Sequence, residues 1–233
     1  MRCCKKIVVA LLVAVVSLLA AQAAFAEKAH MRRIRMATEL INDMSTKGDA
    51  SSLADVINSG KGVAIFPAVT KAGFVVGGQT GEGVVFLKGK NGRWSGPAFM
   101  GINGASIGLQ IGVQSIGLVL VITNSNGLRA FTGDNSFKLG ADVSIAAGPA
   151  GRDASASTDG RFAASIYSYS VTKGIYAGIS LDGSVINQNR DASKAYWGRV
   201  LSPKIALSKS ANNDSRVAPL VKALNNLIKK APK

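Results

Sequence analysis

The feature that most restricts the fold is a long region in which glycines interrupt short apolar runs. It extends from Gly62 to Val185, and within it apolar residues alternate with small or polar ones, most clearly over residues 107–113 and 139–145. A period of two places alternate side chains on one face of a β-strand, so these stretches predict strands with one buried face. The continuously apolar stretch 118–122 instead predicts a strand in the middle of the sheet, covered on both faces.

Residue pairs typical of tight turns punctuate this region. Asn91-Gly92, Asn126-Gly127 and Asp182-Gly183 accept the positive torsions of hairpin turns, which predicts antiparallel pairing. The segment Gly77–Gly83 lacks the Gly-Lys-Ser/Thr ending of a phosphate-binding loop, and we interpret it as a further hairpin region. Strands and helices do not alternate regularly, which disfavours a doubly wound parallel sheet.

The predicted fold class is therefore α+β. We expect a curved, mostly antiparallel, glycine-rich β-sheet or partial barrel with amphipathic helices at the N- and C-terminal ends. Residues 29–44 and 217–228 carry apolar side chains at helical spacing beside basic ones. Such a stripe can dock on the sheet, lie on a membrane or join another copy, and the sequence leaves these three outcomes open for the last helix.

Two shorter helices are also predicted. One covers residues 52–58, with Ser51 as its cap and Gly60 at its end. The other covers residues 187–197 and ends at Gly198.

The start of the chain has the pattern of a secretory signal peptide. A positive start precedes an apolar run from Ile7 to Ala20, and Ala24-Phe25-Ala26 fits cleavage before Glu27. The apolar run is shorter than the roughly 20 residues that span a bilayer, which disfavours the alternative of an uncleaved anchor. We therefore predict an exported protein, periplasmic or extracellular and peripheral on a membrane.

The domain organisation follows from this export signal. Both cysteines, Cys3 and Cys4, precede the apolar run, so the remaining chain has none for a disulfide, a thiolate metal site or a nucleophile. The predicted organisation is a signal peptide over residues 1–26, one domain over 27–201 that includes the N-terminal helix, and a basic amphipathic tail over 202–233. The length of the chain without the signal peptide suits one domain with a single hydrophobic core.

Charge is the strongest signal in the composition. The chain has 28 Lys and Arg against 13 Asp and Glu, and loss of the signal peptide's three cations would lower its formal charge from +15 to +12. Such a charge favours anionic partners. Export would separate the protein from most nucleic acid, so we predict no nucleic-acid binding and favour acidic lipids or envelope polymers. The alternative is that the charge serves only solubility.

Few residues could carry catalysis. The single histidine, His30, lies near the predicted start of the processed chain and is expected to be an exposed helix residue rather than a base. Acidic residues are spread singly, and one histidine without cysteines cannot supply the usual zinc ligands. We predict no enzymatic activity, no metal and no cofactor. The alternative is a hydrolase with an unfamiliar site, which would need paired carboxylates in a deep pocket.

Four blocks carry a resemblance to a known family. They are GKGVAIFPAVTKAGFVVGGQTGEG from Gly60, PAFMGINGASIGLQIGVQS from Pro97, FKLGADVSIAAGPAGRDA from Phe137 and IYSYSVTKGIYAGISLDGSVI from Ile166. In order, spacing and content these blocks resemble the SYLF domain, and the similarity extends from about Arg35 to Gly198. The resemblance implies a lipid-binding module, because eukaryotic members bind phosphoinositides, partly through a basic amphipathic N-terminal helix.

The resemblance also bears on actin, since a yeast member binds and bundles it. This chain shows no SH3 or FYVE module and begins with an export signal, so actin binding is doubtful for it. An exported protein would meet phosphatidylglycerol, cardiolipin or lipopolysaccharide rather than phosphoinositides. The predicted partner is therefore an anionic phospholipid or membrane surface.

The candidate lipid-binding residues are basic. Those of the first helix, in the place that the family uses, are Lys28, Arg32, Arg33 and Arg35. Lys61 and Lys71 flank the Ile65-Phe66-Pro67 segment and could add to a basic rim, or could be solvated charges at strand ends. Arg152 lies among glycines that could present backbone amides to a phosphate, the alternative being a turn with an internal Arg-Asp pair.

The sequence thus predicts a non-enzymatic phospholipid-binding protein of the cell envelope that uses basic residues and an amphipathic helix. The alternative is an envelope module that binds protein or polysaccharide partners without lipid specificity.

Overall fold

The computed structural model describes residues 29–148, 163–172, 175–176 and 181–232, with side chains described for all of these except 73–76, 106–112 and 175–176. The predicted signal peptide, Lys28 and Arg152 lie outside the described residues.

A long antiparallel hairpin forms the frame of the sheet. Strand β1, Gly62–Lys88, pairs with strand β2, Trp94–Ile122, from Gly62 opposite Ile122 to Lys88 opposite Trp94. The predicted turn at Asn91-Gly92 is confirmed, since it joins these strands and Gly92 has a φ of 73°. The prediction of a hairpin at Gly77–Gly83 was wrong, because that segment stays paired with β2 throughout. The glycines of this segment are therefore strand residues and do not form a turn.

The hairpin bends until the first residues of β1 lie against its last ones. The backbone N–H of Lys88 donates to the Lys61 carbonyl at 2.8 Å. A Cβ at Gly83 would lie 2.4 Å from the Ile65 carbonyl oxygen, and one at Gly62 would lie 2.6 Å from that of Phe86. These approaches require glycine, so the glycine-rich composition produces the curl.

Shorter strands complete the sheet on the other edge of β2. β5, Ile166–Thr172, pairs with the last residues of β2, and β7, Val185–Gln188, pairs nearer the beginning of β2. β3, Phe137–Lys138, joins β7, while β4, Ile145–Ala147, runs parallel to β5 and β6, Ile175–Tyr176, antiparallel to it. The described strands thus form one 7-stranded, curled and mostly antiparallel sheet. This confirms the predicted α+β class.

Two local predictions within this region were wrong. Residues 139–145 do not form one strand, because a turn interrupts them at Gly140, which has a φ of 84°. Asn126-Gly127 does not form a hairpin either, since it lies in helix α3, Ser125–Thr132. There the Asn124 side chain accepts bonds from the N–H groups of Asn126 and Gly127 and caps the helix.

Five more helices lie among the described residues: α1 over 29–44, α2 over Ala50–Ser59, α4 over Arg190–Trp197, α5 over Pro203–Ala206 and α6 over Ala218–Ile228. α2 begins before Ser51, so this serine is not its cap, while Gly60 ends it as predicted. α4 is capped by Asn189 and ends at Gly198, which has a φ of 74°.

Both faces of the sheet are covered. One hydrophobic cluster joins α1, α2 and α6 to one face, and a second joins α3 and α5 to the other. The stretch 118–122 contributes alternately to both and pairs on both edges, as predicted. Apolar residues of α6, among them Leu220, Leu224 and Leu227, are fully buried. The last helix therefore docks on the domain.

Candidate functional site

Arg33, on α1, holds the helix to the sheet. Its Nε donates to Oε2 of Glu82 at 2.8 Å, and its terminal nitrogen bonds the same oxygen. The other Glu82 oxygen accepts a bond from Asn189 Nδ2 at 2.6 Å. Only 14% of the Arg33 side chain is exposed. This guanidinium is therefore neutralised in a contact that joins α1, β1 and the start of α4.

Arg32 and Arg35 lie on the exposed side of α1. Arg35 forms an ion pair with Glu39 across 3.5 Å, one helical turn away. Arg32 takes part in none of the ion pairs found among the described residues. Arg32 is therefore available to an external anion. Arg35 can also meet one, because an exposed ion pair of this kind is worth only about 0–1 kcal/mol.

The apolar side of α1 belongs to the core. Ile34, Ala37, Ile41 and Met44 are 0–2% exposed. The expectation that His30 is exposed was wrong, since it is 2% exposed and lies edge-on to Phe99 and Tyr196, at centroid distances of 6.1 and 5.6 Å. The ring completes the apolar face of the helix, which a terminal position in the sequence does not reveal.

The structure separates the two predicted rim lysines. Lys61 is exposed just before β1, whereas Lys71 is half-buried within it, opposite Gln114, about 33 Å further along the strand. Burial lowers the pKa of Lys71. These lysines do not lie side by side, and the assignment of both to lipid binding stays a prediction.

A basic cluster that the sequence analysis did not single out surrounds the turn between β1 and β2. We call it the basic hairpin end, and it consists of Lys61, Lys88, Lys90, Arg93 and Lys209. The sequence shows part of this cluster, because three of its residues flank the predicted turn at Asn91-Gly92. The approach of Lys61 and Lys209 depends on the fold and has no local signature.

The segment around Lys209 lies along the beginning of β2. The Lys209 carbonyl accepts a bond from the Gly96 N–H at 2.8 Å, and the Ala211 N–H donates to the Trp94 carbonyl at 3.0 Å. The ammonium group of Lys88 donates to the carbonyl and side-chain oxygens of Asn58 at 2.7 and 2.9 Å. Burial lowers the pKa of Lys88. Lys61, Lys90, Arg93 and Lys209 are exposed.

A titratable cluster elsewhere ties α4 to the segment that precedes α6. Asp214 accepts two bonds from the Arg216 guanidinium, at 2.8 and 3.0 Å, and one from the Tyr196 hydroxyl at 2.6 Å. The bond from Arg216 is the main cause that lowers the pKa of Asp214 to about 2. The guanidinium also lies 3.8 Å from the centre of the Tyr196 ring. Every group is satisfied internally, so this cluster stabilises the fold.

An open pocket of about 490 Å³ lies beside α3. Its polar lining comes from Asn126, Arg129, Asp142, Ser144 and Ser165. Among the described lining residues Asp142 is the single carboxylate, and it also accepts the Lys138 N–H at 2.7 Å. The described residues of this lining therefore do not supply the paired carboxylates that the hydrolase alternative requires.

One further motif has the spacing of a hydrolase nucleophile, Gly104-Ala105-Ser106-Ile107-Gly108. Such an elbow stands at a sharp strand-to-helix turn. Here the five residues lie inside the continuous strand β2. The backbone geometry is therefore not that of a nucleophile elbow.

The described residues contain no group of three or more histidine, cysteine, aspartate or glutamate side chains arranged to hold a metal ion. Within the same ranges, every helix is too short or too polar to cross a bilayer.

The fold and surface define a class of protein: an α+β domain whose curled sheet is covered by helices on both faces and whose surface bears many exposed cations. A family model described as "Las17-binding protein actin regulator", Ysc84, matches residues 103–227. The chain belongs to this Ysc84 family, which is the SYLF family that the four sequence blocks resemble.

Curated relatives show the extent of the similarity. LAS seventeen-binding protein 3 of Saccharomyces cerevisiae is 33% identical over 174 residues, covering 74% of this chain and 38% of the relative. Protein YSC84 of the same yeast is 35% identical over 175 residues, covering 73% and 37%. SH3 domain-containing YSC84-like protein 1 of Mus musculus is 29% identical over 177 residues, covering 76% and 52%. The chain spans about two fifths to one half of these relatives.

Proposed function

We propose that the protein is a non-enzymatic phospholipid-binding protein of the cell envelope that adsorbs to anionic membrane surfaces through exposed basic side chains. The observation that carries this proposal is an excess of exposed cations outside the four ion pairs of the described residues. Among them are Arg32, Lys90, Arg93, Lys204, Lys209 and Lys222. Each basic group near an anionic leaflet contributes about 1 kcal/mol of attraction, so a few acting together support reversible binding.

Binding through charge differs from the mode predicted from the sequence, in which an amphipathic helix also takes part. Insertion of α1 would require its apolar side to leave the core, where Ile41 and Met44 are fully buried. Fully burying one such side chain stabilises the fold by about 1.5–3 kcal/mol. α6 is held in the same way, through Leu220 and Leu224. We therefore propose adsorption of the folded domain.

The predicted export signal supports an envelope location. Phosphatidylglycerol and cardiolipin are anionic lipids of bacterial envelopes, and both present the phosphate charge that lysine and arginine attract. Mass spectrometry of the protein recovered from its native host tests the location, because removal of residues 1–26 would appear directly in its mass.

Co-sedimentation with vesicles tests the proposal. We expect the purified protein to sediment with phosphatidylglycerol vesicles and to stay in solution with phosphatidylcholine vesicles. In about 1 M salt the Debye length falls to ~3 Å, so binding should be lost. Recovery of the protein in the unbound fraction with acidic vesicles at low salt would reject the proposal.

A protein-binding function is the second candidate. The matched family is described as a Las17-binding actin regulator, and one yeast relative is named LAS seventeen-binding protein 3. This candidate predicts co-sedimentation with filamentous actin, or with an envelope protein, that acidic vesicles do not change. The excess of exposed cations favours the lipid surface.

A further inference from the structure

We infer that the basic hairpin end is the surface through which the protein meets an anionic bilayer, in place of the first helix. This inference rests on the proposed function and assigns it to a site.

Three separate parts of the chain bring their cations together there. The backbone bond between Lys88 and Lys61 places the start of β1 beside its end. The bond from Gly96 to the Lys209 carbonyl places a third segment along the same end of the sheet. Lys90 and Arg93 occupy the turn itself, where the Gly89 N–H donates to the Arg93 carbonyl at 2.8 Å. The cluster is thus fixed by backbone hydrogen bonds.

The last helix extends this basic surface. Asn225 of α6 accepts a bond from Trp94 Nε1 at 2.9 Å, so its exposed side lies next to the hairpin end. Lys222 and Lys229 are exposed and stand three and four residues from Asn225. Side chains at those spacings share one face of a helix. They therefore add positive charge on the side of α6 that approaches Trp94.

Among the described residues, carboxylates form ion pairs with cations elsewhere but not at the basic hairpin end. The four ion pairs among the described residues use Glu39, Asp43, Glu82 and Asp214, and none reaches the basic hairpin end. Asp55 is the carboxylate nearest to Asn58 along α2. It lies close enough to Tyr169 to act with burial in raising the pKa of that hydroxyl. It thus lies on the β5 side of α2.

The distribution of these cations also favours a bilayer over a small anion. The cations are spread over the turn, the strand ends beside it, the Lys209 segment and α6, and none of them is among the described residues that line the pocket beside α3. Cations spread over several segments can meet many headgroups of an extended surface at once, whereas a single phosphate needs converging donors. An anionic lipid surface is therefore the partner whose charge and extent match these cations.

Two matched double variants test the assignment. Lys90→Gln/Arg93→Gln removes two exposed charges from the basic hairpin end, and Arg32→Gln/Arg35→Gln removes two from α1. At about 1 kcal/mol per residue, the first variant should bind phosphatidylglycerol vesicles about 30-fold more weakly. The second should lose less than about 3-fold. Thermal unfolding of both variants verifies that each remains folded.

The outcomes separate the two claims. If the unmodified protein ignores acidic vesicles, the proposed function fails. If it binds, but the two variants lose equal affinity or the α1 variant loses more, the proposed function stands and the assignment to the basic hairpin end is overturned.

Discussion

The two basic regions of this domain are built in opposite ways. On α1 the cations stand on a helix whose apolar side is core, and Arg33 and Arg35 have carboxylate partners in Glu82 and Glu39. At the basic hairpin end the cations come from a turn and from two segments bonded beside it, and they lie outside the ion pairs of the described residues. A basic amphipathic pattern therefore does not identify a membrane-binding helix, because a helix docked on a sheet has the same pattern.

The largest expected effect comes from the core side of α1. Ile41→Asp places a charge where the native side chain is 0% exposed, and we expect a loss of more than about 4 kcal/mol of unfolding free energy, enough to unfold the domain. Asn42→Asp adds the same charge at the next, exposed position and should cost less than about 1 kcal/mol. Circular dichroism during urea unfolding measures both.

The opposite result would favour α1 as the membrane element. If Ile41→Asp stays folded with unchanged stability and loses only its binding to acidic vesicles, the apolar side of α1 acts on lipid rather than in the core.

Much of this architecture was predictable because its signals are local. The helical stripes of α1 and α6, the Asn91-Gly92 turn and the doubly covered stretch 118–122 each depend on spacing within a few residues. The Asn126-Gly127 prediction failed for a local reason too. Asparagine followed by glycine suits a tight turn, but Asn124, two residues earlier, caps a helix instead.

The candidate site was less predictable, because its contacts join distant residues. Glu82 is 49 residues from Arg33, so the sequence could not show that this arginine is neutralised. The neighbourhood of Lys61, Lys88 and Lys209 depends on how far the hairpin bends. Spacing shows that Lys90 and Arg93 flank a turn, but not which other cations join them.

The bend that builds the basic hairpin end is tested at Gly83. An alanine Cβ there would lie 2.4 Å from the Ile65 backbone oxygen, which cannot move without moving its strand. We expect Gly83→Ala to cost about 1–3 kcal/mol. Gly78→Ala in the same strand meets nothing closer than 3.9 Å and should change stability by less than about 0.5 kcal/mol. Urea midpoints compare the two, and equal losses would contradict the close approach.

The smallest expected effect concerns Arg33, and it measures how strongly this cation of α1 is paired with Glu82. In a double-mutant cycle of Arg33→Gln and Glu82→Gln we expect a coupling of about 0.5–1 kcal/mol, since half of the Glu82 side chain is exposed. Arg32→Gln paired with Glu82→Gln should show no coupling. Urea unfolding at low and high salt measures both cycles, and salt should reduce the first. A coupling of zero for Arg33 would make it as free as Arg32, and the first helix would then present a third cation to an anionic surface.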